Sequence, residues 1–325
     1  MKVNYRLIVP VILSFTLAFG IFFPMPTADA EAGTPNTAAA SLPEEGYSGM
    51  SPVFYENIEF YAAPAANPSD LPDGFPHGSP PATISIRVDS KEVTFSSPPL
   101  LTNATTYVPL YDFCALMGQA SMEQDDISTV FVNGLQIVAA PDSCYISANG
   151  RYLYTPNLCK VIDDEVFVPI RPLAKIFGAI VLWDSASRTV SVLTDYTAFE
   201  HGDAFYNETD LYWMSRIISA EARGECMEGK IAVGNVVMNR LNSTIYPNSV
   251  RGVIFDNSCG VQFTPAYSGA INHTPNQECV IAAKLALEGA NVVGNSLFFN
   301  VARLRSWASR NRTFVTTIGN HSFFA

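Results

Sequence analysis

The stretch Ile217-Ile218-Ser219-Ala220-Glu221-Ala222-Arg223-Gly224-Glu225 places a carboxylate where a helix would keep a hydrophobe, and then stops that helix at a glycine. Counting back from Glu221 at helical spacing reaches Ile218, Ile217, Met214 and Leu211, so the acid continues an apolar stripe that faces a core. Desolvation there favours the protonated carboxyl and lifts its pKa towards neutrality, which is what a general acid needs. A buried glutamate held in a salt bridge satisfies the same pattern, so periodicity alone leaves both readings open.

Around this helix the C-terminal region, 206–325, reads as mainly helical with a β-rich end. Asn207 caps the first helix with Asp210 three residues on, and Gly224 ends it. A second helix is predicted over about Met227 to Leu241, with Gly234 allowing close packing. A third is predicted to open at Thr274-Pro275-Asn276-Gln277, a capping box with proline at the first helical position, and to end at Gly289. Phe314 to Ile318, the turn Gly319-Asn320, and His321 to Phe324 read as a closing hairpin.

Further upstream, residues 83–195 contain an internal repeat with a 60-residue offset. Tyr107-Val108-Pro109-Leu110 falls on Phe167-Val168-Pro169-Ile170, and Leu116-Met117-Gly118 on Ile176-Phe177-Gly178. Each copy reads as an extended segment, a proline that opens a short helix, a glycine cap and a strand. Residues 31–82 are rich in Pro, Ala, Ser and Gly, a composition that cannot bury a core and reads as a linker. At the start, Lys2 and Arg6 precede an apolar run from Leu7 to about Phe23 and the triplet Ala28-Asp29-Ala30. That reads as a secretory signal over residues 1–30, with a retained membrane anchor as the alternative; the apolar run is short for a full membrane span. An exported protein with no stable membrane insertion after cleavage is expected.

Charge divides the chain in the same way. Residues 31–206 carry 21 Asp and Glu against 7 Lys and Arg, whereas 207–325 carry 8 against 10. No basic cluster or stripe stands out, so nucleic acid is not an expected partner. The six cysteines, Cys114, Cys144, Cys159, Cys226, Cys259 and Cys279, form no CxxC pair and do not cluster with histidine at zinc spacing, so neither a metal nor another cofactor is expected. Free thiols or one bridge are expected, with Cys144 and Cys159 the nearest pair. Cys226 before the second helix, taken with His321, would suggest a Cys-His peptidase, but no third member is evident.

Two resemblances bear on this reading. Tyr107-Val108-Pro109-Leu110, Val168-Pro169-Ile170-Arg171 and Gly178-Ala179-Ile180-Val181-Leu182-Trp183-Asp184 resemble the copper amine oxidase N-terminal-like domain of bacterial surface proteins, which implies a small α+β module and no copper. Glu221-Ala222-Arg223-Gly224-Glu225, Gly229-Lys230-Ile231-Ala232-Val233, Asn239-Arg240, Pro247-Asn248-Ser249-Val250-Arg251-Gly252-Val253-Ile254, Gln262-Phe263-Thr264-Pro265 and Ile318-Gly319-Asn320-His321-Ser322-Phe323 are similar to the SleB-type cell-wall hydrolases, the spore-cortex-lytic enzymes. That resemblance implies a lysozyme-like, mainly helical catalytic domain, so the whole is an α+β protein. It also implies peptidoglycan glycan strands as substrate, action in the wall or spore envelope, and lytic transglycosylase chemistry. Glu221 is then the sole catalytic acid and base.

Other side chains are candidates for holding the glycan. Gln262 offers an amide to an N-acetyl group and Phe263 a ring to a sugar face, unless they are a loop anchor and a core residue. Tyr267, Asn300 and Trp307 are further cleft candidates. Glu225 is either a second functional carboxylate or a structural partner, and Asn239-Arg240 reads as a structural lock.

Overall fold

The computed structural model describes residues 84–325 apart from 125, 126, 196 and 259. The expected leader, the whole of the linker over 31–82 and Cys259 lie outside the described residues.

The front part is sheet-rich. Its strands are β1 (Ser85–Val88), β2 (Lys91–Val93), β3 (Leu100–Thr102), β4 (Thr105–Pro109), β5 (Ala120–Gln124), β6 (Ser128–Val132), β7 (Leu135–Ala139), β8 (Tyr145–Ala148), β9 (Arg151–Tyr154), β10 (Lys160–Ile162), β11 (Glu165–Pro169), β12 (Ile180–Asp184) and β13 (Thr189–Leu193), with helices α1 (Leu110–Met117) and α2 (Ile170–Ile176). They form sheets ordered β12-β13-β1-β2, β10-β11-β4-β3 and β5-β6-β7-β8-β9. The sequence repeat becomes a pairing of its own two copies. β4 and β11 run antiparallel with Val108 opposite Val168 and Tyr107 opposite Pro169. Pro109 and Pro169 are the helix caps and not the first helical residues, because each still holds the extended ψ of its strand (126° and 129°). Phe113, Val130, Ile137, Ile146, Leu173 and Val192 fill one core and are fully buried.

The C-terminal part follows: α3 (Gly202–Phe205), α4 (Glu208–Ala222), α5 (Met227–Leu241), α6 (Val250–Ile254), α7 (Thr264–Ser268), a 3-10 turn (Ala270–Asn272), α8 (Gln277–Leu287), β14 (Phe298–Val301), α9 (Trp307–Asn311), β15 (Phe314–Ile318) and β16 (His321–Phe324). Helices α4, α5 and α8 pack on one another around a second core. Gly234 permits the close approach: a Cβ there would lie 2.9 Å from Ala286 and 3.1 Å from Ile218. The Asn207 side chain caps α4 by accepting from Asp210 N at 3.0 Å. The cap of α8 is Asn276, whose side chain accepts from Cys279 N at 3.0 Å, and not the expected Thr274. Asn276 is extended, so Pro275 lies before the helix, and the Thr274 carbonyl accepts instead from Arg223.

The two parts meet at a buried polar hub. Glu288, just after α8, is 3% exposed and receives Arg151 Nε at 2.5 Å and Nη2 at 3.0 Å. Lys175 Nζ lies 3.3 Å away and Tyr206 Oη 3.4 Å away. The Arg151 guanidinium also lies over the rings of Phe199 and Phe205, at 4.1 and 3.5 Å. Tyr145, Tyr152 and Tyr154 of the front part pack against the C-terminal core. A free arginine and glutamate at such depth would each be costly, so the pair holds the modules in one register.

Cys114, Cys144, Cys159, Cys226 and Cys279 are free thiols. Burial pushes Cys114 up to about 12 and Cys144 and Cys159 to about 11, so these three stay protonated and unreactive. Among the described residues no helix is long and apolar enough to cross a membrane.

Candidate active site

Glu221 is the penultimate residue of α4, one turn beyond Ile217 and Ile218 and two beyond Met214, all fully buried. The stripe therefore carries its carboxyl to the edge of the core, where it is partly buried. Burial lifts its pKa to about 7. The position at a helix C-terminus, where the backbone dipole is negative, disfavours ionisation further.

No described residue gives Glu221 a hydrogen bond or an ion pair, and desolvation is what acts on it. The nearby cations are engaged elsewhere. Arg223 Nη1 donates to Ser219 Oγ at 3.2 Å and to the Thr274 carbonyl at 3.1 Å. Lys230, 3% exposed, pairs with Glu278 at 2.9 Å and donates to the Glu225 carbonyl. The salt-bridged alternative for Glu221 is absent from this arrangement. An unpaired carboxyl titrating near neutrality can both give and accept a proton, which is the property required of an acid and base in one group.

Glu225 has the opposite environment. Its carboxylate accepts from Asn320 N at 3.0 Å and Asn320 Nδ2 at 2.9 Å, and these bonds hold its pKa below the usual carboxylate range. His321 Nδ1 is buried without a hydrogen-bond partner, 4.0 Å from Glu225, and its pKa is lowered by burial. Gly319 at φ +55° allows the turn to close on this carboxylate, since a Cβ there would lie 1.9 Å from Oε2. The closing hairpin is thereby tied to the segment that follows Glu221.

Other candidates separate by exposure. Phe263 is 0% exposed and packs against Phe299 at 6.2 Å, so its ring faces core and not solvent. Gln262 accepts from Arg240 Nη2 at 3.1 Å and donates to the Gly260 carbonyl at 2.9 Å, which makes it a loop anchor. Asn300 donates to the Val301 and Leu304 carbonyls and accepts from Ser306, bracing the loop after β14. Asn239 donates to the Gly294 and Ser296 carbonyls, and Arg240, 3% exposed, donates to the Leu297 carbonyl, as a structural lock would. Tyr267 and Trp307 remain open to solvent, 47% and 54% exposed.

One grouping escaped the sequence reading. Tyr212, Trp213, Phe255 and Tyr267 form a run of edge-to-face rings 5.0, 5.1 and 6.2 Å apart, with Arg251 5.6 Å from the Trp213 ring. Its members come from three separate segments, so no local signal announces it.

The profile of the cell wall hydrolase family matches residues 224–324, beginning just after Glu221. Residues 224–324 are therefore a cell wall hydrolase domain. Ahead of the hydrolase domain, residues 87–192 match the copper amine oxidase N-terminal domain, the sheet-rich part described above. The chain is 37% identical over 119 residues to a spore cortex-lytic enzyme of Oceanobacillus iheyensis, covering 36% of this chain and 42% of that protein. It is 34% identical over 119 residues to the spore cortex-lytic enzyme of Bacillus subtilis, covering 36% and 38%. The chain thus spans less than half the length of these curated relatives. Among solved structures, the catalytic domain of the germination-specific lytic transglycosylase SleB from Bacillus anthracis aligns at 33% identity and a TM-score of 0.34, covering 37% of this chain and 97% of that one.

Proposed function

We propose that this protein is an exported peptidoglycan lytic transglycosylase. On this reading the hydrolase domain spans 206–325, is lysozyme-like, and cuts the bond between N-acetylmuramic acid and N-acetylglucosamine in wall or spore cortex. The observation that carries the reading is the Glu221 carboxyl, unpaired and lifted to about 7 at the end of an otherwise apolar stripe. The names of the relatives, spore cortex-lytic enzymes, support wall or cortex as the target.

In the proposed reaction protonated Glu221 gives its proton to the glycosidic oxygen as the bond from muramyl C1 to that oxygen breaks. The glucosaminyl leaving group departs as an alcohol, and an oxocarbenium ion remains on the muramyl ring. The resulting carboxylate takes the proton of the muramyl C6 hydroxyl, whose oxygen bonds to C1 and closes a 1,6-anhydro ring. Atoms balance without water, and Glu221 ends protonated for the next cycle. One carboxyl suffices, which agrees with Glu225 being engaged by Asn320. Tyr267, solvent-exposed, is on this reading a glycan contact.

Digestion of purified peptidoglycan by the wild type and Glu221→Gln, with muropeptide masses as readout, tests this. Anhydro ends present in the first digest and absent from the second are expected. Reducing ends would make the protein a hydrolytic muramidase, and wall binding without products a non-catalytic binder.

A further inference from the structure

After Glu288 the chain carries no acidic residue, yet it places Arg303, Arg305, Arg310 and Arg312 within ten positions. This is a basic cluster that the sequence reading passed over. All four are exposed, and none has an acidic partner among the described residues. Apolar side chains stand between and beside them, unusually open: Val301 is 57%, Leu304 57%, Trp307 54% and Phe314 58% exposed.

These side chains sit on a braced surface. Asn300 fixes the loop from Val301 to Ser306 through three hydrogen bonds. Trp307 packs on Phe298 at 5.7 Å, Phe298 pairs across the sheet with Phe324, and Phe324 packs on Phe314 at 5.9 Å. Trp307 and Phe314 are therefore the open ends of one aromatic row. Arg312 lies 4.9 Å from the Phe298 ring and 5.1 Å from the Trp307 ring, which positions its charge on the row.

We propose that this arginine-rich face, from Val301 to Phe314, docks the protein peripherally on an anionic lipid surface. The guanidinium groups would meet lipid phosphates, while Leu304, Trp307 and Phe314 would enter the headgroup boundary, where amphipathic aromatic rings reside. A soluble polyanion would use the arginines but would leave four exposed apolar side chains without a role. This proposal is independent of the reaction assigned to Glu221.

The test is co-sedimentation of the full chain with mixed phosphatidylcholine and phosphatidylglycerol vesicles, and with neutral phosphatidylcholine vesicles. Pelleting with the mixed vesicles only, reversed by added salt, is expected. Each arginine contributes about fivefold to partitioning, so Arg303→Gln with Arg305→Gln should weaken it by about 25-fold. Leu304→Asp should also weaken it, and both variants, altered only at exposed sites, should melt with the wild type. No pelleting, equal pelleting with neutral vesicles, or unchanged pelleting of the double variant would overturn the proposal.

Discussion

Glu225 and Asn320 hold each other through two hydrogen bonds across 95 positions of sequence, and together they fasten the β15–β16 turn to the segment that leaves α4. Replacing Glu225 by alanine leaves the two Asn320 donors without their acceptor and removes the carboxylate 4.0 Å from His321 Nδ1. We expect a loss of about 1–3 kcal/mol, measured by urea unfolding. Glu225→Gln should recover little, because its amide turns a donor towards a donor. Gly319→Ala should behave similarly, since its methyl would fall on the carboxylate.

Glu221 couples stability to pH in the direction set by burial. Its folded pKa, about 7, lies above the ordinary value of 4.5, so between those limits the folded state binds more proton than the unfolded state. Stability from this group is complete below pH 4.5 and declines as pH rises through 7. The shift corresponds to a ceiling of about 3 kcal/mol. Glu221→Gln removes the cost of the buried charge. It should therefore be more stable than the wild type at pH 8 and differ little at pH 4, as followed by thermal melts. Glycan cleavage by the wild type should fall on the alkaline side of pH 7 as the acid form is lost.

Glu288 is the opposite kind of buried carboxylate, paired with Arg151 and Lys175. Glu288→Ala strands the Arg151 guanidinium, whose side chain is 9% exposed, and should cost about 3–5 kcal/mol. Because the lost contacts join the two parts, calorimetry should show unfolding broaden or split relative to the wild type. Lys175→Ala, by contrast, removes a partner that is 54% exposed and should cost less than about 1 kcal/mol.

Local signals made the α4 and α5 limits legible, because Asn207, Gly224 and the apolar spacing all act within a few residues of the backbone they govern. The repeat was legible too, but not that its copies pair strand to strand, since register depends on contacts some 60 positions apart. The Arg151–Glu288 hub spans 137 positions and leaves no trace in either neighbourhood. At α8 the Thr274–Gln277 box and the Asn276 cap compete in the same four residues, and only the extended backbone at Asn276 decides between them. Glu221 was readable as an acid on an apolar stripe, whereas its lack of a partner depends on where Arg223 and Lys230 turn. The arginine cluster was hidden by averaging over a domain whose charges nearly cancel.

Phe263 and Tyr267 are four residues apart, and their exposures assign them opposite effects. Phe263 is fully enclosed against Phe299 and Arg240, so Phe263→Ala should open a cavity and cost about 3–5 kcal/mol. Tyr267 is 47% exposed and makes one hydrogen bond, from its hydroxyl to the Phe255 carbonyl at 2.6 Å. Tyr267→Ala should cost about 1 kcal/mol of stability or less. If its ring contacts the glycan, the same change should raise KM on soluble glycan fragments severalfold with little change in kcat. Urea unfolding and steady-state kinetics on the two variants separate the roles. A Phe263→Ala protein of wild-type stability, or a Tyr267→Ala enzyme with unchanged KM, would remove the respective assignment.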